Sequence, residues 1–218
     1  RVNDEFMEKA MENGSWETRY VKDKKVCETL KAKEILRKIA EGTWICGDPG
    51  IQCDTLINKY HTCKNSGRIN ASNPCSEYIF LDDTACNLAS INLMKFLTPE
   101  CAFDVEKFRR VVRTFITSME LFVDGSSYPT ERIAEMSHVF RPLGLGYANL
   151  GALLMSLGLP YNSDEGRAVA AAITSIMCGE AYKTSAELAR MTGAFPGYEK
   201  NKEPMLNVIK MHREHVKD

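Results

Sequence analysis

The reading of this chain turns on Asn70-Ala71-Ser72-Asn73-Pro74-Cys75-Ser76-Glu77-Tyr78-Ile79-Phe80-Leu81 and the Asp82-Asp83-Thr84-Ala85-Cys86 that follows. In an extended strand residues i, i+2 and i+4 share a face. Asn73, Cys75 and Glu77 are therefore expected to project together as an amide, a thiol and a carboxylate. Pro74 has no N–H for a sheet ladder, so it suits a loop tip or an edge. The run 76–81 is β-prone through Tyr78, Ile79 and Phe80, which predicts a polar reactive tip on an apolar stem. From Asn73 to Glu77 alone, a turn with a buried cysteine is the commoner structure.

Cys86 follows Cys75 by eleven residues. The turn-forming Asp82-Asp83-Thr84 between them allows the chain to fold back and bring the thiols near each other. A carboxylate beside a thiol raises the thiol pKa, which disfavours thiolate catalysis. Hydrogen-atom transfer needs no thiolate, so a Cys–Glu neighbourhood suits one-electron chemistry at sulfur.

Outward from this stretch, the two halves differ. Over 1–100 the elements are short: a helix from a cap at Asp4 to Met11, closed by Gly14, and another over 32–44 with Ile35, Leu36, Ile39 and Ala40 on one stripe. Gly47-Asp48-Pro49-Gly50 signals a turn, and 58–74 reads as loop. From 104 onward the chain reads as helical. Asp104 caps a helix whose Val105, Phe108, Val111, Val112, Phe115, Ile116, Met119, Phe122 and Val123 step by threes and fours, ended by Gly125. Pro129 opens a helix to Val139 at its first turn. An apolar, glycine-containing helix is expected over 143–157, then a long one from a cap at Asp164 to Met191 with Gly193 as stop, and an amphipathic one over 203–215.

The chain has 28 basic and 29 acidic side chains, a net charge of −1, so no electrostatic footprint for nucleic acid or an anionic membrane is expected. No apolar run reaches the roughly 18 residues of a spanning helix. Eight cysteines, with no C-x-x-C pair, are expected to lie mostly buried in a reducing cytoplasm. The start at Arg1, with neither Met nor signal segment, reads as the middle of a longer protein.

Together with Asn87-Leu88-Ala89-Ser90-Ile91-Asn92-Leu93, the two stretches resemble the finger loop and following strand of ribonucleotide reductase large subunits. The resemblance extends to Gly47-Asp48-Pro49-Gly50-Ile51-Gln52, His61-Thr62-Cys63 and Arg141-Pro142-Leu143-Gly144-Leu145-Gly146-Tyr147-Ala148-Asn149-Leu150-Gly151, nearly the whole chain. Its wording is most similar to the adenosylcobalamin-dependent class. The implied fold is α/β: a partial slice of a ten-stranded α/β barrel, with a finger loop at 70–81 and a helix-rich C-terminal half, within one catalytic barrel domain.

The resemblance implies that Cys75 becomes a thiyl radical and takes the 3′ hydrogen atom of a ribonucleotide. Glu77 acts as base on the 3′-hydroxyl while the 2′-hydroxyl leaves as water, and Asn73 holds the ribose hydroxyls. Cys86 is half of a reducing pair that ends as a disulfide, with its partner upstream of residue 1. Ser72, Asn73, Pro74, Cys75, Ser76 and Glu77 line the substrate. Implied partners are adenosylcobalamin, a ribonucleoside di- or triphosphate, an external dithiol or thioredoxin-like reductant, and the rest of the reductase chain. The isolated chain is then expected not to turn over. The alternatives are a reductase fragment served by a separate metal-containing subunit, or a split, non-catalytic assembly piece.

Other signals receive blander readings. Gly144-x-Gly146 lacks the third glycine of a dinucleotide loop, because Asn149 stands there, and is read as close helix packing. His61 is read as a hydrogen-bonding loop histidine, and His138, His212 and His215 as helix-surface residues. No metal ligand is assigned. Met205, Ile209 and Met211 fit a core stripe, and Cys27, Cys46, Cys53, Cys101 and Cys178 carry no assigned role.

Overall fold

A computed structural model describes residues 1–47 and 50–216. The turn expected at Asp48-Pro49 lies outside the described residues. The chain is α/β and divides into two compact units, Arg1–Lys64 and Asn65–Asp218.

The first unit opens with α1 (Asp4–Met11), whose N-cap is Asn3 and not the expected Asp4. Asn3 Oδ1 accepts the Phe6 N–H at 2.9 Å, while Asp4 and Glu5 sit in the first turn, where the helix dipole favours acidic groups. Strands β1 (Ser15–Arg19) and β2 (Val26–Lys31) form an antiparallel hairpin that the helix-and-loop reading did not anticipate. Helices α2 (Ala32–Cys46) and α3 (Asp54–Lys59) follow, the last two residues of α3 lying in the segment 58–74 expected as loop. Phe6, Ala10 and Ala32 form a small core, with Trp16 edge-on to Phe6 at 5.3 Å.

In the second unit β3 (Asn87–Asn92) pairs in parallel with β4 (Leu143–Ala148), in register Leu88 to Gly144 and Ser90 to Gly146. Parallel neighbours need a crossover. Here it is α4 (Val105–Gly125) and α5 (Glu131–Phe140). Asp104 caps α4 as expected, its Oδ1 accepting the Lys107 N–H at 2.9 Å. Phe108, Val112, Ile116, Met119 and Val123 are the buried face of α4, whereas Phe122, placed on that stripe by periodicity, is 60% exposed. Phe108 meets Phe96 and Phe103 edge-on at 5.1 and 5.3 Å, and with Ile91, Leu93, Val112, Leu153 and Ile173 makes the main core.

Four expectations are corrected in this unit. The helix expected over 143–157 is instead strand β4, a left-handed Asn149 (φ 68°), and the short helix α6 (Leu150–Ser156). A parallel strand partly buried on both faces carries a continuous apolar run, which periodicity alone does not separate from a buried helix. Pro129 precedes α5 instead of lying in its first turn, because Thr130 is the cap, with Oγ1 accepting from Ile133 N–H. Likewise Ser163, not Asp164, caps α7 (Asp164–Thr192), and α8 (Tyr198–His215) begins five residues before the expected 203. Gly193 does end α7. Arg109 from α4 reaches the buried Glu180 of α7 at 2.9 Å, and Arg113 pairs with Glu187, tying the two long helices along their contact.

Among the described residues the strands make two two-stranded sheets and no closed barrel. No described helix is long and apolar enough to cross a membrane. The cysteines depart from expectation: Cys27, Cys46, Cys53, Cys75 and Cys101 are exposed, Cys63 is buried, and Cys86 and Cys178 are intermediate. The apolar interior is filled mainly by Leu, Phe, Ile and Val, and the five exposed thiols fall on the hairpin, helix ends and loops.

Candidate active site

Residues 76–81, expected as strand, are irregular. The reason lies at Ser76, whose backbone is left-handed (φ 64°) and breaks the two-residue alternation that an extended reading of 73–77 assumed. The loop is closed by Asn73 instead. Its backbone carbonyl accepts the Ser76 N–H at 3.1 Å, and its side-chain Oδ1 accepts the Tyr78 N–H at 3.0 Å. Asn73 N–H in turn donates to the Tyr78 carbonyl at 3.4 Å, and Ser72 Oγ donates to the Asn73 carbonyl at 2.7 Å.

Pro74, Cys75 and Glu77 are exposed at the tip of this clamp, and Ser72, Asn73 and Ser76 are half-buried. With Oδ1 committed to the loop, the Asn73 amide still has its two N–H donors to offer outward. Asn73, Cys75 and Glu77 thus lie on a side-chain-closed turn and not along a strand pleat.

The returning arm is pinned at several points. Leu81 is buried, and Thr84 Oγ1 donates to its carbonyl at 2.5 Å. Ala85 N–H donates to the buried Ser137 Oγ of α5 at 3.0 Å, and Asn87 Nδ2 donates to the Met119 carbonyl of α4 at 3.2 Å. Phe80 stands edge-on to Phe140 at 5.9 Å.

Cys86 lies between these anchors and leans on β4. A Cβ at Gly144 would sit 2.6 Å from Cys86 Sγ and 2.7 Å from Leu88 Cδ2, so any side chain there must displace both. The pair Gly144-x-Gly146, read from sequence as helix packing, is thus strand backbone, and the first glycine makes the seat of Cys86.

The Cys86 thiol is pushed up from an ordinary 9.0 to about 11, first by burial and then by the charge of Glu77. Glu77 therefore acts on Cys86 across the Asp82-Asp83-Thr84 turn. At neutral pH the group is a thiol, with Sγ donating to the Asn87 carbonyl at 3.6 Å. Its reactivity follows. A rise of this size cuts the thiolate at pH 8 about 100-fold, and the greater nucleophilicity of a more basic thiolate returns roughly a factor of ten. Cys86 should alkylate with iodoacetamide about tenfold more slowly than an ordinary thiol, and faster after Glu77→Gln, as followed by mass spectrometry of its peptide. Equal rates in the two proteins would refute the electrostatic link.

Sequence reasoning missed Tyr78, Thr84, Ser137, Gly144 and Arg141. The last, left-handed at φ 48°, ends α5 and forks onto Glu120 at 2.5 Å and Asp124 at 2.7 Å, which fixes α5 to α4 beneath the returning arm. No short-range pattern marks these residues, since each acts through a partner distant in the chain or through backbone shape. His61 is where a hydrogen-bonding reading puts it: buried, with Nδ1 accepting the Cys63 N–H at 3.3 Å.

A family profile described as "Ribonucleotide reductase, barrel domain" matches residues 1–217. The chain is 57% identical over 216 residues to a vitamin B12-dependent ribonucleotide reductase of Rhodopirellula baltica, covering 98% of this chain and 21% of that protein. It is 51% identical to the enzyme of the same name from Streptomyces avermitilis, over 97% of this chain and 22% of that protein. A vitamin B12-dependent ribonucleoside-diphosphate reductase of Thermoplasma acidophilum is 32% identical over 90% of this chain and 26% of its own length. The chain spans about a fifth of the length of the first two relatives.

Proposed function

Because this chain belongs to the ribonucleotide reductase barrel-domain family, we propose that it is the radical-loop region of an adenosylcobalamin-dependent reductase that makes 2′-deoxyribonucleotides. In this reading it is a central slice of one catalytic barrel of ten strands, completed by the rest of the reductase chain in a reducing cytoplasm. The observation that carries the reading is the exposed Cys75 thiol on a loop closed by Asn73, with Glu77 beside it acting on a half-buried Cys86.

The residues divide the work as follows. Cys75, as a thiyl radical, takes the hydrogen atom from C3′ of the ribose and forms its S–H bond. Asn73 donates its two amide hydrogens to the ribose hydroxyls and so orients the C3′–H bond toward sulfur. Glu77 accepts the 3′-hydroxyl proton as the 2′-hydroxyl, protonated by a thiol of the reducing pair, departs as water. Glu77 gives its proton back as the C3′ oxygen is reduced, and Cys75 finally returns its hydrogen atom to C3′. Ser72, Pro74 and Ser76 complete the wall of the substrate pocket. Two electrons then come from Cys86 and a second cysteine, which end joined as a disulfide. A thioredoxin-like dithiol reduces that bond and is itself oxidised. The raised pKa of Cys86 keeps its hydrogen in place until this step.

Adenosylcobalamin, when bound, supplies the homolytic bond cleavage that starts the radical. The exposed Cys75 sulfur suits such an outside radical source, and no residue of this chain is assigned to hold the cofactor. The test uses the full-length reductase bearing this region, given ribonucleoside di- or triphosphates and a dithiol. Deoxyribonucleotide formation should require adenosylcobalamin. Turnover without it, supported by a separate metal-containing subunit, would reject the cobalamin assignment.

A further inference from the structure

Two side-chain hydrogen bonds tie the flanks of the loop tip to the arm that returns toward Cys86. Asn70 Nδ2 donates to Asp82 Oδ2 at 2.8 Å, but this bond is exposed and water competes for both groups. The other is half-buried, between Tyr78 OH and Thr84 Oγ1 at 2.6 Å. Its direction follows from the protons available. Thr84 has one hydroxyl hydrogen, and at 2.5 Å it is directed to the Leu81 carbonyl, which can only accept. Tyr78 is therefore the donor, in a relay that runs from phenol to threonine to carbonyl.

The same residue holds the tip, because its N–H and carbonyl are the two groups that Asn73 engages to close the loop. Beyond Thr84, the Ala85 N–H is fixed to Ser137 and Asn87 to α4. The arm carrying Cys86 is thus anchored to the helices independently of the tip. The tip in turn is referred to that arm through Tyr78. Burial pushes the phenol to about 12, so it stays a donor throughout the neutral range.

We infer that Tyr78 is a positioning residue for this site: its hydroxyl, through Thr84, fixes the placement of the Cys75–Glu77 tip relative to Cys86. This deepens, and rests on, the reductase reading above. Phenylalanine would keep the ring packed near Phe80 and leave the backbone clamp on Asn73 intact, so substrate contacts persist while the tip drifts from Cys86.

The experiment uses the full-length reductase. In Tyr78→Phe, kcat should fall on the order of tenfold with KM within about twofold, the split expected when geometry and not binding is lost. Cys86 should also be alkylated about threefold faster at pH 8, as the charge of Glu77 moves away. Thr84→Val should reproduce both effects, Thr84→Ser should restore both, and Tyr78→Phe with Thr84→Val together should be no worse than the poorer single variant. The inference is overturned if Tyr78→Phe keeps wild-type kcat and Cys86 labelling. It is equally overturned if the loss falls on KM, if the two substitutions multiply, or if Thr84→Ser behaves as Thr84→Val. Failure of the reductase reading shows differently, as an active Cys75→Ala enzyme, and Cys86 labelling still reads the Tyr78–Thr84 tie in that case.

Discussion

Replacing Cys75 with alanine in the full-length reductase should reduce deoxyribonucleotide formation to the uncatalysed background while leaving the protein as stable as before. The two halves of this expectation have separate causes. Cys75 is exposed at the loop tip, and the bonds that close the loop belong to Asn73, Ser76 and Tyr78, so removing the thiol deletes no packing or hydrogen bond. An exposed substitution of this kind changes stability by about 0.5 kcal/mol or less. The chemistry, by contrast, has no substitute. A serine there would offer an O–H bond much stronger than S–H, so it should be as inactive as alanine. Thermal unfolding and a product assay on the same preparations make the check. Deoxyribonucleotide formation by either variant, beyond contaminating wild-type enzyme, would sink the assignment of Cys75.

The second large effect is expected at Gly144. An added methyl would press on Cys86 Sγ at 2.6 Å and on Leu88 Cδ2 at 2.7 Å. Leu88 is 66% exposed and can swing into solvent. Cys86 is held between Ala85 and Asn87, both anchored to helices, and has less room. Overpacking of this sort costs about 1–3 kcal/mol, and a displacement near 1 Å at a reacting group can cost roughly 100-fold in rate. Gly144→Ala should therefore lose on the order of 100-fold in kcat with a modest loss of stability in denaturant titration. Gly146→Ala is the matched control. Its added carbon would find only Ser90 Oγ, at 3.9 Å, so activity should stay near wild type. Equal damage from the two substitutions would mean that strand glycine itself, and not the seat of Cys86, is what matters.

These two glycines also mark the limit of what the sequence discloses. The buried face of α4 was readable because Phe108, Val112, Ile116 and Met119 repeat at helical spacing and Asp104 stands at the cap position. β4 was not, because an apolar run such as Leu143-Gly144-Leu145-Gly146-Tyr147 has no period that separates a strand in a parallel pair from a buried helix. The hairpin of β1 and β2 escaped for another reason: β2 is exposed along its whole length, so it lacks the apolar alternation of a half-buried strand. At the site, the candidate residues come from the Asn73-x-Cys75-x-Glu77 wording and its resemblance to a family. The geometry was not, because a left-handed Ser76 and an amide closing its own loop leave no periodic trace. Three helix caps were each misplaced by a residue or two for one shared reason, that Asn3, Thr130 and Ser163 stand beside acidic or proline residues with a competing claim to the helix start.

The parallel pairing of β3 with β4 has a consequence for how the chain is made. When Cys86 leaves the ribosome, the backbone that will shelter it has not been synthesised. Ala148 follows Cys86 by 62 residues, which take roughly 3–12 s to add at about 5–20 residues per second. Strand pairing must then close a loop of that length before any contact repays the entropy. Through that interval Cys86 is an ordinary accessible thiol, without the burial that later suppresses its reactivity. The nascent polypeptide therefore passes through a window of oxidative vulnerability that the finished molecule has closed, and its width is set by translation speed.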